Sequence, residues 1–133
     1  MIQILVISET KDIEEALKLC SRKFSFTCKV HYVLDAEEVL PFIEKTPLVI
    51  LWNIAENFPY SPNELIRLWK ETNPFSILLL LLPQNHRDWL APCLENGIQD
   101  FLFKPLEDLQ ELVEFLQEHC RRLKRWKEWI PSN

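Results

Sequence analysis

Glycine is almost missing from this chain: of 133 residues only Gly97 is one. That excludes the glycine-rich loops through which a backbone wraps phosphate, the Walker type and the dinucleotide type alike. Long apolar runs are missing too. The longest, Ile77 to Pro83, falls far short of the ~20 residues that cross a bilayer, so no membrane span is expected. The N-terminus, MIQILVISET, has neither a positive n-region nor a small-residue cleavage site, and does not read as a signal peptide. Cysteines are few. Cys20, Cys28, Cys93 and Cys120 form no C-x-x-C pair, and without an export signal they read as reduced, mostly buried thiols of a cytoplasmic protein. His31, His86 and His119 fall on three different elements without metal-ligand spacing. They read as surface or helix-face residues, and no metal and no cofactor is expected. No Ser-His-Asp or Cys-His arrangement can be argued, Cys93 near His86 included, so the chain is read as non-enzymatic.

What is present is core material. The composition is 47% hydrophobic, 11% aromatic and 26% charged, which is that of a folded chain rather than a disordered one. The length suits one domain. Net charge is −5, unevenly placed: residues 121–133 hold Arg121, Arg122, Lys124, Arg125 and Lys127 against Glu128, a net +4, which leaves −9 on residues 1–120. An acidic body disfavours nucleic acid as its partner. The basic tail reads as a solvated face that complements a helix C-terminus. The chain therefore divides into a body over residues 1–120 and a basic, tryptophan-containing extension of the last helix over 121–133.

Strand and helix signals alternate along the body. Ile2 to Ile7 reads as a buried strand. Ser8-Glu9-Thr10 looks like a helix start, and Ile13, Ala16, Leu17 and Cys20 follow as one helical stripe. Phe26 to Leu34 alternates in the manner of an edge strand. Asp35-Ala-Glu-Glu38 has the spacing of a capping box opening a helix to about Lys45, with Pro41 delaying or bending it. Leu48 to Trp52 is apolar throughout and therefore central. Ser61-Pro-Asn-Glu64 offers an N-cap Ser, a first-turn Pro and an N3 Glu to a helix carrying Leu65, Ile66, Leu68 and Trp69. Phe75 to Leu82 is a fourth strand ended by Pro83. A short helix near Asp88 to Asn96 is closed by Gly97 as a left-handed cap. Asp100 to Phe103 is a fifth strand, and one long amphipathic helix runs from about Leu106 to Ile130. Such alternation with short loops gives a parallel sheet covered by helices on both faces, with ligands at the carboxyl ends of the strands.

Three stretches lie at those ends: ILVISE (Ile4–Glu9), LVILWN (Leu48–Asn53) and GIQDFLFKP (Gly97–Pro105). In this order they make residues 2–120 resemble the response-regulator receiver family, the CheY-like domains. The resemblance implies an α/β fold, a doubly wound five-stranded parallel sheet of strand order 2-1-3-4-5. It also implies phosphoryl transfer from a histidine kinase to an aspartate, with Mg2+ held by the acceptor and an acidic pair. Matched position by position, the acceptor falls on Asn53, the acidic pair on Ser8 and Glu9, the hydroxyl position on Leu82, the lysine on Lys104 and the switch aromatic on Phe101. Pro105 completes the family's Lys-Pro pair and is expected to set a tight turn, through a cis bond if one is present.

Three departures follow. An amide at Asn53 is no phosphoryl acceptor. Magnesium wants hard oxygens, usually carboxylates, and only Glu9 remains of three. Leu82 cannot hydrogen-bond a phosphoryl oxygen. The chain thus reads as a pseudo-receiver, a phosphorylation-independent interaction module of two-component-type signalling. Lys104 is expected to be locked to Glu9 and the Asn53 side-chain oxygen; the other reading makes it a sensor of some other anion. Phe101 is read as fixed packing rather than a moving switch.

The last helix repeats Leu109, Leu116, Leu123 and Ile130 every seven residues, and its second half mixes Trp126, Trp129 and Ile130 with basic side chains. Either these aromatics fold back on the domain, or they meet a partner, an output module or a second copy; a symmetric dimer is the expectation adopted. The interaction surface is placed on the fourth helix, fifth strand and fifth helix, through Trp89, Phe101, Leu116, Leu123, Trp126 and Ile130, with a signalling protein or output domain as partner. The rival readings are a small flavodoxin-like ligand-binding or enzyme domain, which lacks its phosphate loop here, and a receiver phosphorylated at an atypical residue.

Overall fold

A computed structural model describes residues 2–24 and 27–129, apart from the side chain of Cys20. Five strands, β1 (Ile2–Ile7), β2 (Cys28–Val33), β3 (Val49–Asn53), β4 (Ile77–Pro83) and β5 (Asp100–Lys104), form one sheet. Its order is β2-β1-β3-β4-β5 and every pairing is parallel, as the resemblance implied. The helices are α1 (Asp12–Ser21), α2 (Leu40–Ile43), α3 (Asn63–Thr72), α4 (Leu90–Asn96) and α5 (Leu109–Trp129).

The sequence explains which strands are central. β4 is buried at all seven positions and β3 at four of five, because a parallel sheet covered on both faces demands apolar side chains pointing both ways. The period of two then divides them between two cores. Ile4, Val6, Val49, Leu51, Ile77 and Leu79 meet α1 and α5 on one face. Leu5, Ile7, Ile50, Trp52, Leu78 and Leu80 meet α2, α3 and α4 on the other. The edge strands β2 and β5 are only partly buried.

Gly97 ends α4 at φ +117°, in the left-handed region. A Cβ there would also stand 2.9 Å from Lys70 Cγ. The missing side chain therefore serves twice, since Lys70 passes beneath it to donate to the Ser76 carbonyl at 2.7 Å.

Several local signals resolve differently from their sequence reading. α1 starts at Asp12, not at Ser8, because the Ser8 hydroxyl is engaged in its own turn: it accepts from Thr10 N and donates to Thr10 O. Asp35 does cap, accepting from Glu37 N at 3.1 Å, but the helix behind it breaks. A 3-10 turn over Ala36–Glu38 gives way to the short α2, with Pro41 in its first turn where the missing N–H costs nothing. Ser61 is no N-cap; its oxygen is buried beside the Cys93 thiol and makes no capping bond. β4 runs through Pro83 rather than stopping before it. A cap near Asp108 went unread: Asp108 accepts from Glu111 N, and Glu111 reaches back to Glu107 N, so α5 begins at Leu109, not Leu106.

α5 corrects the largest expectation. Leu116 and Leu123 are fully buried in this chain's own core and offer nothing to a partner. The seven-residue line is the seam by which α5 lies on the sheet. Trp126 packs against the same core and meets Phe75 edge-on at 6.5 Å, whereas Trp129 is 85% exposed. Ile130 lies outside the described residues.

Candidate functional site

The carboxyl ends of β1, β3 and β5 bring Ser8, Asn53 and Lys104 together. Lys104 Nζ donates to Asn53 Oδ1 at 2.8 Å and to the Ile54 carbonyl. Asn53 Nδ2 donates to Ser8 Oγ at 3.2 Å, and Ser8 Oγ donates to Thr10 O at 2.9 Å. The chain of donors fixes the amide's orientation: its oxygen must face the ammonium and its nitrogen the hydroxyl. An aspartate here could accept from Lys104 but could donate nothing to Ser8. Asparagine satisfies both neighbours.

Glu9 takes no part. It is exposed and makes no ion pair with Lys104, which overturns half of the expected lock; the Asn53 half is present. Burial pushes the Lys104 ammonium below its ordinary range, and the nearby Glu56 carboxylate opposes that shift. Glu56 was not singled out by the sequence reading, since a loop carboxylate has no periodicity to flag it. Lys104 is thus held by one amide oxygen and one backbone carbonyl, with its carboxylate influence coming from the β3–α3 loop.

Leu82 belongs to the core on the α2–α4 side, on the other face of the sheet from Asn53 and its partner Leu81. At the end of β4, Pro83 is the register partner of Lys104. Neither carries a hydroxyl. The Lys104–Pro105 peptide is cis. Phe101 is half-buried and meets Phe103 edge-on at 5.3 Å.

These residues do not fit the magnesium that the receiver resemblance implies. The amide oxygen that would face a cation already accepts from an ammonium, Ser8 offers a hydroxyl already used three times, and the one carboxylate left of the three is outside the network. Magnesium sheds its waters reluctantly and is held through carboxylates.

Around the site the β3–α3 loop is clasped to the turn after β4. His86 Nε2 lies 2.7 Å from the Glu56 carbonyl, which also accepts from Asn85 Nδ2. The His86 ring stacks on Trp89 at 3.6 Å. Trp89 in turn meets Phe58 edge-on, and Phe58 packs on Trp52 and Tyr60.

His119 departs furthest from its sequence reading. It is 1% exposed, and its Nε2 sits 2.9 Å from Asp100 Oδ2. Glu118 lies close enough to complete a possible metal-ligating set. Yet Nδ1 is buried without a partner, so coordination through Nε2 would strand the ring proton on Nδ1 in apolar surroundings. The geometry suits an imidazole that donates from Nε2 to Asp100. The residues assigned to the interaction surface do not form one patch: Trp89 is at the carboxyl ends of the strands, Phe101 on the β5 edge and Trp126 beside Phe75, which precedes β4.

No family model matches the chain, and no curated protein matches it. Solved structures do. It is similar to a CheY-like response regulator receiver domain protein from Methanospirillum hungatei JF-1, with 17% identity and a TM-score of 0.75 over 94% of this chain and 98% of that one. It is similar to a response regulator receiver domain protein from Clostridium thermocellum, with 19% identity and a TM-score of 0.74 over 98% and 100%. A signal receiver domain of a histidine kinase from Syntrophus aciditrophicus aligns at 20% identity and a TM-score of 0.71 over 100% and 97%. At these identities the likeness carries the fold alone: this is the receiver fold, complete from β1 to α5.

Proposed function

We propose that this chain is a receiver-like interaction module of two-component-type signalling that works without phosphotransfer. One observation supports it above the rest: the acceptor position is an asparagine whose oxygen is bound to Lys104 and whose nitrogen is bound to Ser8. A carboxylate nucleophile, one member of a metal-binding acidic pair and a hydroxyl after β4 are all replaced at once. The partner, a signalling protein or output domain, is met by the face of α4, β5 and α5, where Leu94 is exposed and Phe101 half-buried. The acidic body argues against nucleic acid as that partner. A dimer built on Leu116 and Leu123 is not part of the proposal, since both are core residues.

Incubation with acetyl phosphate and Mg2+, followed by intact-mass analysis, tests the reading. The expected result is an unmodified chain. A phosphate mapped to Ser8, Glu9 or Asn53 would overturn it and favour a receiver with an atypical acceptor.

A further inference from the structure

Beside Asn53, on the side away from Lys104, a cleft of about 470 Å3 opens between the ends of β1 and β3 and the segment after β2. We propose that it binds an organic cation, an alkylated ammonium or a guanidinium group. Three aromatic residues line it: Trp52, Phe58 and Tyr60. Phe58 is the hinge of the cluster, 4.6 Å from Tyr60 and 5.4 Å from Trp52 between ring centroids. Two acidic residues, Glu9 and Asp35, line it as well, and among the described residues no basic one does.

Aromatic faces and carboxylates attract the same guest. A ring's quadrupole holds a cation that has shed water, and a nearby carboxylate neutralises it. A small inorganic cation would use only the carboxylates and an uncharged hydrocarbon only the rings, so an organic cation is the guest that uses both. The Lys104 ammonium is tied to Asn53 and Ile54 and does not line this cleft. The acidic body adds a negative field that concentrates cations at the surface. Glu9, which the hydrogen-bonded network leaves idle, thereby gains a role. Of the three rings, Tyr60 is 50% exposed, Phe58 half-buried and Trp52 buried, so Tyr60 and Phe58 are the ones a guest would meet. The inference rests on the reading that this corner does no phosphotransfer, since Ser8, Glu9 and Asn53 also line the cleft.

Titration with tetramethylammonium, followed by 15N–1H NMR, is the test, with neopentyl alcohol as the neutral isostere and NaCl matching ionic strength. The expected result is saturable shifts at the Trp52 indole and around Phe58 and Tyr60, absent with the alcohol and with NaCl. Affinity falls at least threefold in Glu9→Gln and in Asp35→Asn, and at least tenfold in Tyr60→Leu. Equal binding of the alcohol, shifts that follow ionic strength alone, or affinity unmoved in all three variants would overturn the proposal. Capped arginine and capped trimethyllysine separate the sources: tighter binding than tetramethylammonium assigns the cation to a partner's side chain, and weaker binding assigns it to a free small molecule.

Discussion

Asn53 is the residue on which the site turns, because it accepts from a partly buried ammonium and donates to a hydroxyl. Truncating it to alanine strands both neighbours. Hydrogen bonds to charged groups contribute about 1.5–3 kcal/mol when buried; at a half-buried position Asn53→Ala is expected to cost about 1–2 kcal/mol, read from the urea midpoint at constant slope. Glu9→Ala should leave that midpoint within ~0.5 kcal/mol of the parent, since Glu9 is exposed and unbonded. A large loss there would restore the Glu9–Lys104 pair. Charges can be counted in a sequence, but carbonyls cannot be placed, which is why Ile54 O as a partner of Lys104 was illegible. Lys70 gives a pH signature. Burial pushes its ammonium from 10.5 down to about 8, so above pH 8 the native chain releases a proton that the unfolded chain still holds. Stability from this group is therefore lowest below pH 8 and rises toward pH 10.5. Burial raises the Cys93 and Cys120 thiols to about 11 and about 12; they act the other way from pH 9 upward, where the unfolded thiols ionise first. The clean window is pH 8 to 9. There the parent should gain stability relative to Lys70→Met, and parallel pH profiles would refute the assignment.

At the scale of elements, α5 shows what periodicity can and cannot decide. The seven-residue recurrence of Leu109, Leu116 and Leu123 was plain in the sequence, but a stripe does not say whether its cover is the same chain or another. The sheet supplies it: Leu112, Leu116 and Leu123 are all fully buried. His119 lies on that stripe, three residues from Leu116 and four from Leu123, so its burial was readable from spacing alone once the stripe was taken as core. Leu123→Ala should therefore destabilise the monomer by about 2–5 kcal/mol, while Trp129→Ala stays within ~0.5 kcal/mol. Equal effects in thermal unfolding would contradict the placement of α5. The strands were the most legible elements, because the unbroken apolar runs in β3 and β4 have few other uses in a chain of this length. Helix starts were the least legible. Ser8 and Ser61 each had cap-like spacing, yet one hydroxyl is spent on the acceptor network and the other is buried beside Cys93.

At the scale of the molecule, the receiver fold carries, where β1, β3 and β5 end, a hydrogen-bonded plug of Ser8, Asn53 and Lys104. Two apolar cores hold the sheet from both sides, and neither depends on a bound phosphoryl group or a cation. Lys104 donates to two protein oxygens, the Asn53 amide oxygen and the Ile54 carbonyl. The fold was legible because order and length of elements leave few alternatives. The plug was legible only as missing groups, since which atoms fill the gap depends on three strand ends meeting in space. The most direct measurement of the central claim is a 15N–1H NMR titration with beryllofluoride and Mg2+, which together mimic a phosphorylated aspartate. The account predicts unshifted amides at Ser8, Asn53, Phe101 and Lys104 at saturating mimic. Saturable shifts centred on Asn53 and Lys104 and propagating to Phe101 would contradict it.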